Sequence, residues 1–411
     1  GEPGSLEDLY PQIRRFMSEI ETAGSIVELC RIGARQVREL TGFDRTLIYQ
    51  FDKDWNGAVV AEDRNEQLPS YLDLRFPESD IPAQARELYR RNRVRLIADS
   101  DYQPVPLLRS PAHADAAPTD LSLAMLRSVS PVHLQYMRNM GTGASMSVSL
   151  LNEGTLWGLV SCHNHVAKRV PYHVRTACEF IGQILSMQIA LKERGAVVEA
   201  RIARRAIQMR LLGRMAGDED FMAALGRDEH SLLALTDARG AAIIHRGRCV
   251  RLGDCPAEEQ VTALVAWLRA EHAGDDLFQT EMLPALWDPA HGFAAIASGV
   301  MAISISQLHD SFVLWFRPEV MRTVRWGGEP KKQQIGGSLT PRLSFEAWKE
   351  TVREQSLPWQ YVDRDAALEL RTAIVDIVLR KAEEMAELNE QLVRSNKELE
   401  AFSYSVSHDL R

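Results

Sequence analysis

GASMSVSLLNEGTLWGLVSCHNH, residues 143–165, alternates apolar and polar side chains on both sides of an Asn-Glu-Gly turn. A period of two predicts two antiparallel strands, each with one buried face. Upstream, TLIYQFD (46–52) predicts a third strand, DWNG (54–57) a turn, and NGAVVAEDR (56–64) its hairpin mate. Helical patterns come first: Leu9, Ile13, Phe16, Met17 and Ile20 recur at helical spacing, and Ser25–Leu40 is helical again. Residues 98–120, rich in Pro, Asp, Ala and Ser, predict a loop. Helices around an antiparallel sheet make residues 1–190 an α+β, sensor-like domain.

The same grammar returns further on. An amphipathic helix over about 173–215, with Val174, Ala177, Ile181, Ile184, Leu185, Ile189 and Leu191 on its apolar side, leads into a second domain over 191–362. There LLALTDARGAAIIHRG (232–247) predicts strands around Asp-Ala-Arg-Gly, and AIASGVMAISIS (295–306) and SFVLWFRPE (311–319) predict further strands. Between Val324 and Trp348 the hydrophobic period is lost, in a stretch with two Gly-Gly pairs and two prolines. An insertion that long between regular elements is more often functional than neutral. Residues 363–411 predict one helix with a heptad seam, Val378, Met385, Leu392, Leu399 and Val406 at a, and Ile374, Lys381, Leu388, Ser395 and Phe402 at d. That repeat predicts a coiled coil or bundle across a homodimer, with a long surface helix as the alternative.

Composition narrows the function classes. The 411 residues carry 48 Lys+Arg against 56 Asp+Glu, a formal charge of -8, which argues against nucleic acid as partner. Five cysteines without a CxxC pair do not form a disulfide framework, so a reducing, cytoplasmic setting is expected. No run of about 18 apolar residues predicts a membrane helix, and GEPGSLEDLYPQ (1–12) lacks the pattern of a signal peptide. The chain stops at HDLR inside a helical pattern, so a longer natural protein is expected. No phosphate loop, dinucleotide fingerprint, nucleophile elbow or HExxH sequence is present, which argues against a self-contained NTPase, dehydrogenase or hydrolase.

Polar and aromatic groups crowd the first domain. Asp80, with Ser79, lies at the N-terminal end of a helix opened by Pro82, where a capping and a functional role are both open. His133 and Tyr136 lie three apart on one helical face. Arg95 and Arg127 are candidate anion clamps. His163 and His165 flank Asn164 in a strand pattern and should face the same side. No ligand spacing supports a metal. His408 falls at heptad position c, facing solvent, where an imidazole could accept a phosphoryl group or have no role at all.

RFPESDIPAQARELY (75–89), LRSVSPVHLQYMRNMG (126–141) and LVSCHNH (159–165) closely resemble the chromophore-binding GAF domain of phytochromes of the bacterial type. The second domain resembles the phytochrome-specific PHY domain, and its insertion the family's tongue, with WGGEP (326–330) and PRLSF (341–345). FSYSVSHDLR (402–411) is similar to the start of a histidine-kinase dimerisation segment, with His408 at the autophosphorylated position.

The resemblance covers essentially the whole chain. It implies a fold of two GAF-like domains, each an antiparallel sheet flanked by helices, joined by a long helix and followed by a coiled-coil helix. It implies a red/far-red photoreceptor that passes D-ring photoisomerisation through tongue refolding to a histidine kinase and a response regulator. Asp80, through its backbone carbonyl, and His133 would lie near the pyrrole nitrogens, with Ile81 beside them. Arg95, Arg127, Ser145 and Ser147 would hold the propionates. His163 would meet the D-ring carbonyl, and Tyr49, Tyr71, Phe76 and Tyr136 would cage that ring. Arg342 of PRLSF, with Ser344, would dock the tongue on Asp80.

Two departures qualify this. Where plant and cyanobacterial members carry an attachment cysteine, this sequence has Val132, and Cys162 matches no attachment site. The biliverdin-class cysteine belongs to a segment ahead of the first domain, so biliverdin IXα is expected to be held noncovalently or to be missing from this chain. An ATP-binding domain is also outside the sequence, so kinase activity is not expected of it. The alternatives are a GAF sensor for another ligand and a chromophore-less dimerisation module.

Overall fold

Eight strands form the first sheet, in the order 347–352, 322–327, 75–76, 57–64, 45–51, 155–164, 144–152 and 94–97. The computed structural model describes residues 6–108, 117, 119–124, 127–216, 221–306, 311–328, 334–335, 338–339 and 347–409. In chain order the first elements are α1 (Leu6–Thr22), α2 (Ile26–Thr41), β1 (Arg45–Phe51), β2 (Gly57–Arg64), β3 (Arg75–Phe76), α3 (Ala83–Arg91), β4 (Val94–Ile97), α4 (Pro131–Asn139), β5 (Ala144–Asn152), β6 (Thr155–Asn164) and α5 (Tyr172–Ala216). Ser25 caps α2 by accepting the Glu28 N–H at 3.2 Å, and Gly42 closes it in the left-handed conformation.

The alternation read in 143–165 sorts side chains between the faces of this sheet. Ile48, Ala61, Val94, Leu96, Met146, Val148, Val160 and Cys162 point to one side, where they form a core with α1, α2 and α5. Leu47, Tyr49, Val59, Leu156 and Leu159 lie on the other side with Tyr71, Leu74 and Phe76, in a smaller, more aromatic cluster. One face of the sheet is therefore spent on the core and the other is free to build a site.

The second part comprises α6 (Phe221–Gly226), α7 (Glu229–Leu235), β7 (Gly240–His245), β8 (Arg248–Gly253), α8 (Glu258–Glu271), β9 (Leu277–Thr280), α9 (Leu283–Leu286), α10 (Ala294–Ala297), β10 (Gly299–Ser306) and β11 (Ser311–Arg317). Then follow β12 (Arg322–Gly327), β13 (Gln334–Ile335), β14 (Ser338–Leu339), β15 (Ala347–Val352) and α11 (Tyr361–Asp409). The sheet β8-β7-β11-β10-β9 is antiparallel throughout. Met301, Ile303, Val313 and Trp315 pack on one face with residues of α5, α7 and α11, whereas Val300, Ala302, Leu314 and Phe316 pack on the other with α8. The chain divides into two compact units, Gly1–Ala196 with Thr323–Thr351, and Val197–Arg322 with Val352–Arg411. Two open sheets flanked by helices, the long connecting α5 and the long C-terminal α11 are the architecture the sequence predicts.

Two local expectations are corrected. LLAL (232–235) is the end of α7, not a strand: Asp228 caps that helix, and Leu232 and Leu235 are buried at helical spacing. Residues 295–297 belong to α10, where the Ser298 hydroxyl donates to the Ala294 carbonyl at 2.9 Å, and the strand begins only at Gly299. Runs of four apolar residues carry too little period to separate helix from strand.

On α11, Ile374 is buried in the core of the second unit, whereas Val378, Met385, Leu388, Leu392 and Leu399 of the seam are 37–72% exposed. That stripe is consistent with a partner helix lying along it. No helix of the described residues is long and apolar enough to cross a membrane.

Candidate functional site

Neighbouring strands place chemistry-bearing residues opposite one another on the free face of the first sheet. Arg95 on β4 pairs with Ser147 on β5, which pairs with Ser161 on β6. One row along, Ser145 pairs with His163, and His163 with Arg45 on β1. The His163 Nε2 lies 3.1 Å from the Ser161 hydroxyl, whereas its Nδ1 is shielded from solvent and finds no hydrogen-bond partner. Burial, then the Arg45 charge, then His133 push the imidazole pKa down to about 3, so the ring is neutral at pH 7. His165 does not share this arrangement. The strand β6 ends at Asn164, and the His165 ring turns to the Gly141 carbonyl, 2.8 Å from Nδ1.

Two helices flank this face. A 3-10 turn, Glu78–Asp80, precedes α3, and Pro82 occupies its N-cap without a side-chain bond, so Asp80 does not cap the helix. Asp80 instead accepts from the Tyr136 hydroxyl at 3.3 Å, which ties the turn to α4. On α4, the His133 and Tyr136 rings stack with centroids 6.1 Å apart and planes 7° from parallel. Burial and the nearby Arg95 charge lower the His133 pKa. Arg127, just ahead of α4, donates to the Leu121 and Ser122 carbonyls at 3.1 Å each. Burial and repulsion from Arg95 lower its pKa as well. Among the described residues neither guanidinium forms an ion pair with a carboxylate. Two neighbouring cations with serine hydroxyls beside them form a receptor for an anion.

The aromatic residues meet beside Arg45, whose guanidinium lies 3.8 Å over the Tyr71 ring. Tyr49 and Phe76 rings are 5.9 Å apart, Tyr71 and Phe76 are 6.3 Å apart, and Phe51 and Trp55 extend the group. The Tyr49 ring lies across Gly57, where an added Cβ would sit 1.7 Å from it. Phe76 likewise lies against Gly327 of WGGEP, leaving 2.4 Å to an added Cβ. Trp326 pairs with Arg75 of β3 and donates its indole N–H to Glu350 at 2.7 Å. Arg342 and Ser344 lie outside the described residues, and His408 lies in α11 with its side chain outside them.

Three charged residues escape the sequence reading. Arg45 and Glu62 form a buried pair, Nε to Oε1 3.2 Å. Arg86 donates to the Ile81 carbonyl at 2.7 Å and to Glu78 at 2.9 Å, with its guanidinium over the Trp55 ring. It thereby holds the turn that carries Asp80. The available signal was strand parity: Arg45 shares its side of β1 with Leu47 and Tyr49, so it is not a solvated charge.

None of the five cysteines is placed as a reactive thiol. Cys30, Cys162 and Cys178 are buried. Burial pushes the Cys30 and Cys162 thiols up to about 12 and Cys178 well above its ordinary value. Val132, next to His133, is exposed on α4. No group of three His, Cys, Asp or Glu among the described residues could hold a metal.

The GAF domain model matches residues 25–192, and the model described as Phytochrome region matches 204–383. The chain is 44% identical over 407 residues to Cyanobacterial phytochrome B of Nostoc sp., and 37% identical over 414 residues to a bacteriophytochrome of Pseudomonas aeruginosa. It covers 54% and 55% of those proteins, so it spans about half the length of the curated relatives it matches. Among solved structures, a bacteriophytochrome from the photosynthetic bacterium R. palustris superposes with a TM-score of 0.78 at 42% identity, over 93% of this chain and 77% of that one. The photosensory core module of a Stigmatella aurantiaca phytochrome gives 0.75 at 44% identity, over 91% and 75%.

Proposed function

This chain belongs to the phytochrome family, and on that premise we propose that its GAF domain binds a linear tetrapyrrole, biliverdin IXα, and that the module regulates a histidine kinase by red and far-red light. The observation that carries the proposal is the polar end of the free sheet face. His163 keeps a buried, unpartnered Nδ1, and Arg95 and Arg127 lie close enough to repel each other, with the Asp120 carboxylate acting on Arg127 without forming an ion pair with it. A long, mostly apolar pigment with two propionates and a terminal ring carbonyl is the kind of ligand that meets both needs.

The bound pigment would supply light absorption and the isomerisation of one double bond. Arg95 and Arg127, with Ser145 and Ser147, would hold the propionates. His163, neutral, would hydrogen-bond the terminal ring carbonyl. His133 and the backbone carbonyl of Asp80, with Ile81 beside it, would face the pyrrole nitrogens. Tyr49, Tyr71, Phe76 and Tyr136 would enclose the terminal ring. In this reading none of the five cysteines forms a thioether with the pigment, so these contacts would carry the binding.

The segment 324–348 would serve as the tongue, through Gly327 against Phe76, with Arg342 and Ser344 docking on Asp80. Its repacking would bias α11 as a two-state element. The exposed seam of α11 fits a parallel homodimer, with His408 as phosphoacceptor and a response regulator downstream in the longer protein. Domain limits of 1–190, 191–362 and 363–411 suit this division of labour.

The test is pigment uptake. Biliverdin and phycocyanobilin are added in separate samples and absorbance is recorded before and after red light. A red band that red light bleaches in the biliverdin sample supports the proposal, and no band with either pigment refutes it. A band with phycocyanobilin alone corrects the pigment's identity.

A further inference from the structure

We infer that Arg45 and Glu62 are positioning residues for the aromatic end of the site: together they fix the segment 69–71 and the Tyr71 ring, and through it the Tyr71–Phe76–Tyr49 wall. The inference presupposes the bilin-binding function proposed above.

The two residues face each other from β1 and β2, and both side chains are nearly buried, at 6% and 5% exposed. The Glu62 carboxylate accepts hydrogen bonds from the Ser70 hydroxyl at 2.6 Å and the Tyr71 N–H at 3.1 and 3.2 Å, and it pairs by charge with Arg45 and Arg64, their Nε atoms 3.2 and 3.4 Å away, without a hydrogen bond from the Arg45 Nε. Arg45 donates to the Pro69 carbonyl, and its guanidinium lies 3.8 Å over the centre of the Tyr71 ring. Glu62 thus grips the backbone of a segment outside regular structure, and Arg45 grips the ring that this segment presents.

A buried ion pair adds little net stability, because desolvation offsets the attraction. What this pair adds is direction. The planar guanidinium serves a carbonyl, a carboxylate and an aromatic face at once, which an ammonium group cannot do. The wall it sets is continuous, from Tyr71 to Phe76 to Tyr49. A ring that must rotate and then stay in place needs such a wall held at fixed geometry.

The variants are Arg45→Lys, which keeps the charge and loses the plane, and Glu62→Gln, which keeps the shape and loses the charge. Two readouts are taken. In the pigment-free protein, NMR follows the Tyr71 ring signals and the exchange of the Tyr71 backbone N–H, which donates to Glu62, with water. Glu62→Gln is expected to shift the Tyr71 signals and speed that exchange at least tenfold. In the biliverdin-loaded protein, both variants are expected to bind within about twofold of wild type but to lose at least fivefold in photoproduct yield or lifetime.

A merely structural pair would lower folding and binding together and leave the yield per bound pigment unchanged, and that result overturns the inference. Wild-type protein that takes up no bilin refutes the proposed function instead. The pigment-free signals then decide the positioning role, and unchanged Tyr71 signals in Glu62→Gln overturn it.

Discussion

Asp363 in the first turn of α11 offers the sharpest stability test. Its carboxylate is 1% exposed and accepts from Arg317 at 2.9 Å, from Arg204 at 3.1 Å and from the Gln360 N–H at 3.1 Å. Arg317, at the end of β11, is also buried, with its guanidinium 4.0 Å over the Trp359 ring. Asp363→Ala leaves that cation with only the exposed Asp237 carboxylate, 4.0 Å away, as counter-charge. Removing one partner of a buried pair costs about 3–5 kcal/mol. The carbonyls of Thr236 and Pro358, at 2.7 and 2.6 Å, still solvate Arg317, which favours the lower end. At about 2–4 °C per kcal/mol for a unit of 150–250 residues, the melting transition of the second unit should fall by roughly 6–12 °C. Arg204 is more exposed, at 22%, so Arg204→Met should cost only about 1 kcal/mol. Calorimetry, with tryptophan fluorescence to assign the transition, measures both. A fall below about 2 °C for Asp363→Ala would refute the buried-charge reasoning.

Other expectations follow from the first unit. The His163 pKa is about 3 when folded against an ordinary 6.5, so the unfolded chain takes up the proton first. The stability contributed by the neutral ring is complete above pH 6.5 and is lost as pH falls from 6.5 toward 3. Between pH 7.5 and 5.5, His163→Gln should lose about 1 kcal/mol less than wild type in urea unfolding, and equal losses would contradict the burial argument. In native protein, a thiol reagent should label Cys249 before Cys30, Cys162 or Cys178, because the last three are buried; rapid labelling of any of these three would contradict their placement. Gly57→Ala should displace the Tyr49 ring and change the pigment's absorbance maximum, since no Cβ fits beside that ring. Denaturing the loaded 411-residue chain should release its pigment, and a pigment band that stays with the chain on a denaturing gel would show a cysteine misjudged.

The sheets and long helices were legible in the sequence because their periods run over many residues. Residues 143–165 and 173–215 each repeat one pattern long enough to exclude the other. LLAL and residues 295–297 were not, because three or four residues fit either period. The long motifs named the candidate site residues, but the facing rows Arg95–Ser147 and Ser145–His163 depend on strand register, which only pairing reveals. Arg45, Glu62 and Arg86 stayed hidden for a related reason. A charged side chain in a short strand or helix looks solvated until its partners from distant segments are in place.

The most direct measurement is the absorbance of the purified chain with biliverdin, before and after red light. The account predicts a red band that red light bleaches, with photoconversion impaired in His163→Gln and in Arg95→Met/Arg127→Met. A chain that takes up no pigment, or holds it without any light-induced change, would contradict it.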